Sequence, residues 1–216
     1  MDCPLRALDI GCAVGGSTFE LAKYVDFVDG MDISTIFIDA ANKMKEYNTP
    51  FPFRIPMEGR VRIQVDAMHE PDITESIRAK TRFFVGDACL LNQPSYRTRM
   101  LQNHEYDGIL LANILCRIQD PISLLDALPH IVQTHGIVLI VTSYSWLHDF
   151  TPRNKWMGGF YDPLTKNPIF TRGMLQIYME ARGFEFIYEE QVPFVLRENQ
   201  RTYHYIISEA TGRRKK

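Results

Sequence analysis

The sequence has few cysteines for its 216 residues. Four stand at positions 3, 12, 89 and 116, and none forms a Cys-x-x-Cys pair. Such spacing supplies neither a thiolate zinc site nor a disulfide framework, and it fits a reducing compartment. The six histidines include no His-x-x-x-His or similar ligand cluster, so no metal is expected. Long apolar runs are also missing. Segments such as Gly136-Ile-Val-Leu-Ile-Val141 fall far short of the ~20 residues that a membrane helix needs. The start, Met1-Asp-Cys-Pro4, has no charged-then-apolar signal pattern. A basic excess is lacking too, with 24 Lys and Arg against 26 Asp and Glu. Nucleic-acid readers usually carry a basic stripe, and no Asn/Asp-Pro-Pro-Tyr/Phe run follows the fourth strand. The expectation is a cytoplasmic protein with a small-molecule substrate and no nucleic-acid or membrane partner.

What is present is ordinary globular chemistry. Residues are 45% apolar and 23% charged, which argues against disorder. No repeat or linker divides the chain, so residues 1–212 read as one domain, large enough to bury a core unaided. The cluster Arg213-Arg-Lys-Lys216 reads as a frayed, solubilising basic tail over 213–216.

Along the chain, Arg6–Ile10 is a short apolar strand entering a glycine-containing turn. Phe19, Ala22 and Val25 then fall at helical spacing, and Phe27–Asp32 reads as a second strand. Ser34 can cap a helix with an apolar face of Ile36, Phe37, Ala40, Ala41, Met44 and Tyr47. Residues 48–80 interrupt the alternation; Pro50, Pro52 and Pro56 precede Gly59, and Val61, Ile63 and Val65 alternate as an inserted strand or hairpin. Strands resume over 81–86, 106–112 and 136–142, with a helix of Leu124, Leu125, Leu128, Ile131 and Val132 before the last of these. A loop over 143–170 leads to a helix bounded by Thr171 and Gly183, and strands over 184–191 and 203–210 close the chain. Strands alternating with helices specify an α/β fold, a Rossmann-like doubly wound sheet with an insertion after its second helix.

In such sheets ligands bind at the carboxyl ends of the strands. The first strand ends in Asp9-Ile-Gly-Cys-Ala-Val-Gly15, where glycine lets the backbone turn tightly and approach a ligand. A dinucleotide fingerprint requires Gly-x-Gly-x-x-Gly. Here Ala13 stands two after Gly11 and the next glycine is Gly15, so a nicotinamide oxidoreductase is disfavoured. Asp9 would repel a pyrophosphate and suits a ligand with positive charge and no phosphate, such as S-adenosylmethionine. Asp32, beside Ile33 at the end of the second strand, can accept from both ribose hydroxyls. Asp87, beside Ala88 after the third, can accept from an adenine amine. Each of these acids can instead be a plain strand-end cap. Asp9, Gly11, Cys12, Ala13, Gly15, Asp32, Ile33, Asp87, Ala88 and Asn113 form the expected cofactor set. For Asn113, a cap of the fourth strand is the equal alternative.

The spacing Asp-x-Gly-x-x-x-Gly, the strand-end Asp and Gly-Asp-Ala together resemble the class I S-adenosylmethionine-dependent methyltransferases. That resemblance implies strand order 3-2-1-4-5-7-6 with the last strand antiparallel. The 143–170 loop holds the only two tryptophans, Trp146 and Trp156, among Tyr144, Arg153 and Lys155. It reads as a substrate wall, the alternative being that both rings merely pack the loop down. Its cations suit a carboxylate, which guanidinium binds bidentately. Arg153 and Arg197 are the expected carboxylate holders.

The runs Arg6-Ala-Leu-Asp-Ile-Gly-Cys-Ala-Val-Gly15, Gly86-Asp-Ala-Cys-Leu90, Thr151-Pro-Arg-Asn-Lys-Trp-Met-Gly-Gly159 and Val192-Pro-Phe-Val-Leu-Arg-Glu198 are more specific. They resemble the methyltransferase domain of ovothiol-forming enzymes, a mercaptohistidine N-methyltransferase, and the similarity spans nearly the whole chain, including Glu58-Gly59 and Ser208-Glu-Ala-Thr211. It implies methyl transfer from S-adenosylmethionine to the imidazole of 5-thiohistidine, and a sulfoxide synthase domain or protein as partner. Two departures stand out. That family has further sequence before the glycine strand, so the chain is expected to be an excised or shortened domain. In Asn113-Ile-Leu-Cys-Arg117, Cys116 replaces an expected acid, which puts the substrate in question. His148, Asp149, Glu198 and His204 are the possible general bases, and the sequence does not choose among them, except that His204, in an apolar closing strand, reads first as a structural residue. Methylation of another small heteroaromatic or amine, and a non-catalytic S-adenosylmethionine-binding module, are the competing readings.

Overall fold

The computed structural model describes residues 3–46 and 51–216. Tyr47 and Pro50, expected on the second helix and in the insertion, lie outside the described residues, as do Met1 and Asp2. The first half of the chain builds β1 (Arg6–Ile10), α1 (Gly16–Leu21), β2 (Phe27–Asp32), α2 (Thr35–Glu46), the inserted hairpin β3 (Phe51–Glu58) and β4 (Val61–Ala67), α3 (Glu75–Ala79) and β5 (Thr81–Val85). The second half adds α4 (Pro94–Leu101), β6 (Tyr106–Ala112), α5 (Pro121–Ala127), β7 (Val132–Thr142), the two-residue strands β8 (Phe160–Tyr161) and β9 (Pro168–Ile169), α6 (Thr171–Glu180), β10 (Phe184–Arg197) and β11 (Tyr203–Lys215).

Seven strands form one sheet in the order β10-β11-β7-β6-β1-β2-β5, with β11 antiparallel to both neighbours and the other pairings parallel. Counting only the strands of this sheet, that is the expected 3-2-1-4-5-7-6. Central strands covered on both faces must be apolar on both faces, and β1 is buried from Ala7 through Ile10. The core runs between the sheet and α5–α6 through Leu8, Leu111, Leu124, Leu128, Ile140 and Leu175.

Several expectations need correction. In α2, Ala41 is buried as expected, but Ile36 and Phe37 are exposed and Ile38 is buried in their place. The closing strands are longer than their apolar alternation suggested. They pair from Phe184↔Lys215 to Arg197↔Tyr203, whereas β7 pairs only with Glu209–Arg214 of β11. Residues 192–208 therefore stand beyond the carboxyl end of β7 as a two-stranded arm. The arm's tip, at Arg197 and Glu198, shares a cleft with Phe53, Ile55 and Asp66 of the inserted hairpin.

The basic tail is not frayed. Arg213 is buried and Arg214 pairs with Ile137, while Lys215 Nζ donates to Pro129 O at 2.7 Å and Val132 O at 2.6 Å. A cation at a strand end gains charge-assisted bonds to otherwise unpaired carbonyls, which outweighs its hydration. Deleting residues 213–216 removes these bonds, two ladder pairs with β7 and three with β10, at least about 2–3 kcal/mol. At about 2–4 °C per kcal/mol for this size, Tm is expected to fall by about 5–10 °C in a thermal melt; a frayed tail would leave it unchanged.

Candidate active site

β1 delivers its glycine turn between the ends of β2 and β6. The amides of Gly11 and Cys12 both donate to Met31 O, at 2.7 and 3.1 Å, folding the turn back over β2. Gly11 has φ +81°, and a Cβ there would lie 2.6 Å from Ile114 Cδ1, so close approach requires glycine. Ala13 takes φ +48° without being glycine. Its amide donates to Asp32 Oδ2 at 3.0 Å, and Ser34 N donates to Asp32 Oδ1 at 2.9 Å. Asp32 thus ties the first turn to the second and keeps spare lone pairs toward a ligand. Asp87 caps the short turn Ala88–Leu90 by accepting from Cys89 N at 2.9 Å, and its own amide donates to Tyr96 Oη at 2.7 Å.

These strand ends line a cavity of about 470 Å³ with Gly11, Asp32, Ile33, Asp87, Ala88 and Asn113 on its walls. Ser34, Phe37, Cys89, Arg117, Gln119 and Phe150 also line it, and none of them was picked out from the sequence. Arg117 carried a usable signal, since it follows the end of the fourth strand of the main sheet by only five residues. Phe150 and Phe37 carried none, because each apolar ring read as core or loop packing.

Asp9, Cys12, Ala13 and Gly15 lie behind this wall and shape it. Asp9 is fully buried; Oδ2 accepts from Ser17 Oγ at 2.6 Å and Thr18 Oγ1 at 2.7 Å, while Oδ1 has no partner. Burial raises its carboxyl above the ordinary range, against the opposing pull of the two hydroxyls. The folded state therefore binds this proton more tightly than the unfolded chain does, and stability falls as pH rises through the gap. A cation bound nearby offsets that cost. Burial likewise pushes the Cys12 thiol up to about 12, so this side chain is protonated core, packed with Phe19, Ile38 and Phe83. Asn113, at φ +54°, accepts from Ser208 Oγ at 2.7 Å and binds the end of β6 to β11.

The substrate-side expectations fare differently. Trp146 and Trp156 stack at 6.2 Å and join the core, their Nε1 groups donating to Thr171 Oγ1 at 2.7 Å and Thr151 O at 2.8 Å. They fasten the loop rather than face the cavity, because an indole N–H satisfied internally permits burial of the whole ring. Tyr144 donates to Glu209 and faces a separate cleft with Phe170 and Arg172. Its phenol is pushed up by burial and then by that bond. Arg153 is exposed on a short turn. Arg197 is exposed in the arm, donating to Asn199 O at 3.1 Å. Neither arginine lines the cavity, nor do the base candidates. His148 pairs with Asp149 at 2.9 Å and His204 with Glu198 at 2.9 Å, all four exposed.

Charge across the cavity is divided by sheet order. Asp32 and Asp87 follow β2 and β5 on one side of the glycine turn; Arg117 follows β6 on the other.

Residues 2–189 match the family described as methyltransferase domain. The chain belongs to this family. No curated protein matches it. Among solved structures, a SAM-dependent methyltransferase from Methanosarcina mazei is 20% identical with a TM-score of 0.60, over 100% of this chain and 93% of that one. TehB from Haemophilus influenzae is 16% identical with a TM-score of 0.58, over 99% of this chain and 58% of the other. The [4+2]-cyclase SpnF is 14% identical with a TM-score of 0.58, over 100% and 76%. These likenesses show a shared fold, and a fold that also serves a cyclase does not name a substrate. The methyltransferase assignment rests on the family. Among the described residues, no helix of this methyltransferase is long and apolar enough to cross a membrane.

Proposed function

We propose that this methyltransferase carries a methyl group from S-adenosylmethionine to an imidazole nitrogen of 5-thiohistidine, forming ovothiol. The observation that carries the reading is the cavity at the carboxyl ends of β1, β2, β5 and β6, acidic on one side and cationic on the other. The residues present fit the cofactor. Asp32 retains lone pairs for ribose hydroxyls, Asp87 Oδ2 is free to accept from an adenine amine, and the unpartnered Oδ1 of buried Asp9 suits a nearby cation. When bound, S-adenosylmethionine would supply an electrophilic methyl carbon, its sulfonium departing as the neutral thioether S-adenosylhomocysteine while the methylated ring gives up its N–H proton to solvent.

The chain's own contribution is position. Gly11 allows close approach of the backbone, and the tethered loop brings Phe150 against the open side. Fixing two reactants in line contributes ~7–11 kcal/mol. Among the described residues no histidine lines the cavity, so the reading has the acceptor nitrogen arrive with its lone pair free. One of the segments most like the ovothiol enzymes, residues 151–159, braces the cavity wall at Ile118 without lining the cavity itself. Thr151 Oγ1 donates to Ile118 O at 2.7 Å, Lys155 pairs with Asp120, and Trp156 packs beneath. An iron-dependent sulfoxide synthase, as a separate protein or domain in the cytoplasm, would supply the thiohistidine.

The test incubates the protein with S-adenosylmethionine and either 5-thiohistidine or histidine, followed by mass spectrometry. One methyl gained on thiohistidine alone is the expected result. His148→Ala and Glu198→Gln should keep kcat within about twofold, because neither side chain reaches the cavity. Cofactor binding by calorimetry without turnover of thiohistidine would leave a methyltransferase of another small heteroaromatic or amine.

A further inference from the structure

We infer that Arg117 is the specificity-determining residue of the acceptor half of the cavity and that it selects acceptors bearing a carboxylate. This rests on reading the cavity as the methyl-transfer site. Arg117 is the one cation among the described residues that line it, on the side of the glycine turn away from Asp32 and Asp87. The neutral diol and amine partners suited to the acids and the anion suited to Arg117 are therefore placed at opposite ends.

The side chain is held ready. Nη1 donates to Cys116 O at 2.9 Å and Ser145 O at 2.6 Å, and Nη2 donates to Ser145 Oγ at 2.9 Å. Ser145 therefore occupies the Nη1–Nη2 edge, and the guanidinium lies 5.4 Å from the Phe150 ring. The Nε–Nη2 edge keeps two donors with no partner among the described residues. Two parallel donors on a planar fork match the two oxygens of a carboxylate. Because the group is already fixed to Ser145, little side-chain entropy is lost when an anion binds.

The experiment titrates protein saturated with S-adenosylhomocysteine, using 5-thiohistidine against its decarboxylated amine, and histidine against histamine, by calorimetry. Wild type should prefer the carboxylated member by about 10- to 100-fold, the range of a charge-assisted pair. In Arg117→Gln the preference should collapse towards unity, with Arg117→Lys in between and S-adenosylhomocysteine affinity unchanged in both. A merely structural Arg117 would weaken both members of each pair alike and leave the ratio intact, which overturns the inference. So does a wild type with no preference or no binding, or a loss of S-adenosylhomocysteine affinity in Arg117→Gln, which would assign the fork to the cofactor's own carboxylate. A preference for histidine over histamine without methylation of thiohistidine overturns the proposed substrate and leaves the role of Arg117 standing.

Discussion

Asp32→Ala is expected to weaken S-adenosylmethionine binding by about 30- to 1000-fold, measured by calorimetry. Hydrogen bonds to a charged acceptor contribute ~1.5–3 kcal/mol each, and two ribose hydroxyls would lose theirs. The same carboxylate accepts from Ala13 N and Ser34 N, so the variant also frees the turn that Asp32 holds against α2. Ala13 stands at φ +48°, where an alanine stays only under such restraint. A net loss of about 2–4 kcal/mol is the result, at tenfold per 1.4 kcal/mol. Asp32→Asn retains one acceptor oxygen and should fall between. An Asp32→Ala protein with wild-type affinity would remove the carboxylate from the cofactor site and leave it as a turn cap.

Gly15→Ala should cost about 2–5 kcal/mol of stability and lower Tm by roughly 5–15 °C. Gly15 precedes α1 at φ +91°, a conformation that costs an alanine ~1–2 kcal/mol. Its Cβ would lie 2.7 Å from Phe83 Cζ and 3.1 Å from Phe19 Cε2, two buried rings that contact each other edge to face. Displacing them adds the ~1–3 kcal/mol typical of overpacking. Gly16→Ala is the matched control. Nothing lies within 4 Å of a Cβ at Gly16, the first residue of α1, and alanine favours helix, so that variant should be neutral or slightly more stable. Equal effects in the two variants would show that Phe83 moves aside freely. The buried position of Phe83 against Phe19 and Ile38 argues otherwise.

The sheet and its ligand edge were legible because both are set by local chemistry. Buried parallel strands such as Arg6–Ile10 must be apolar, and a tight turn at a ligand must have glycine or a residue restrained like Ala13. The acids Asp9, Asp32 and Asp87 could be located from the same logic, since each lies within two residues of a strand's carboxyl end. Their division of labour could not. That Asp32 lines the cavity while Asp9 sits behind it depends on which way each side chain leaves its strand, and on the hydroxyls of Ser17 and Thr18 that draw Asp9 inward.

The residues expected to hold a substrate lie off the cavity for a similar reason. Composition placed tryptophans and arginines in one loop, and composition says nothing about facing. Trp146 and Trp156 turned inward because Thr171 and the Thr151 carbonyl satisfy their N–H groups. Arg117 faces the cavity because Ser145, 28 residues later, grips its outer edge. The long arm and the ordered carboxyl end belong to the same class, since the mostly exposed residues 192–197 and the polar run 211–215 gave no signal that the two strands would continue to pair. What the sequence by itself determined is the order of strands and helices, the glycine turn and the acids at the strand ends, all set by contacts within a few residues. Which side chains meet in the cavity was decided by tertiary structure, because facing is chosen by partners brought near only when the sheet closes.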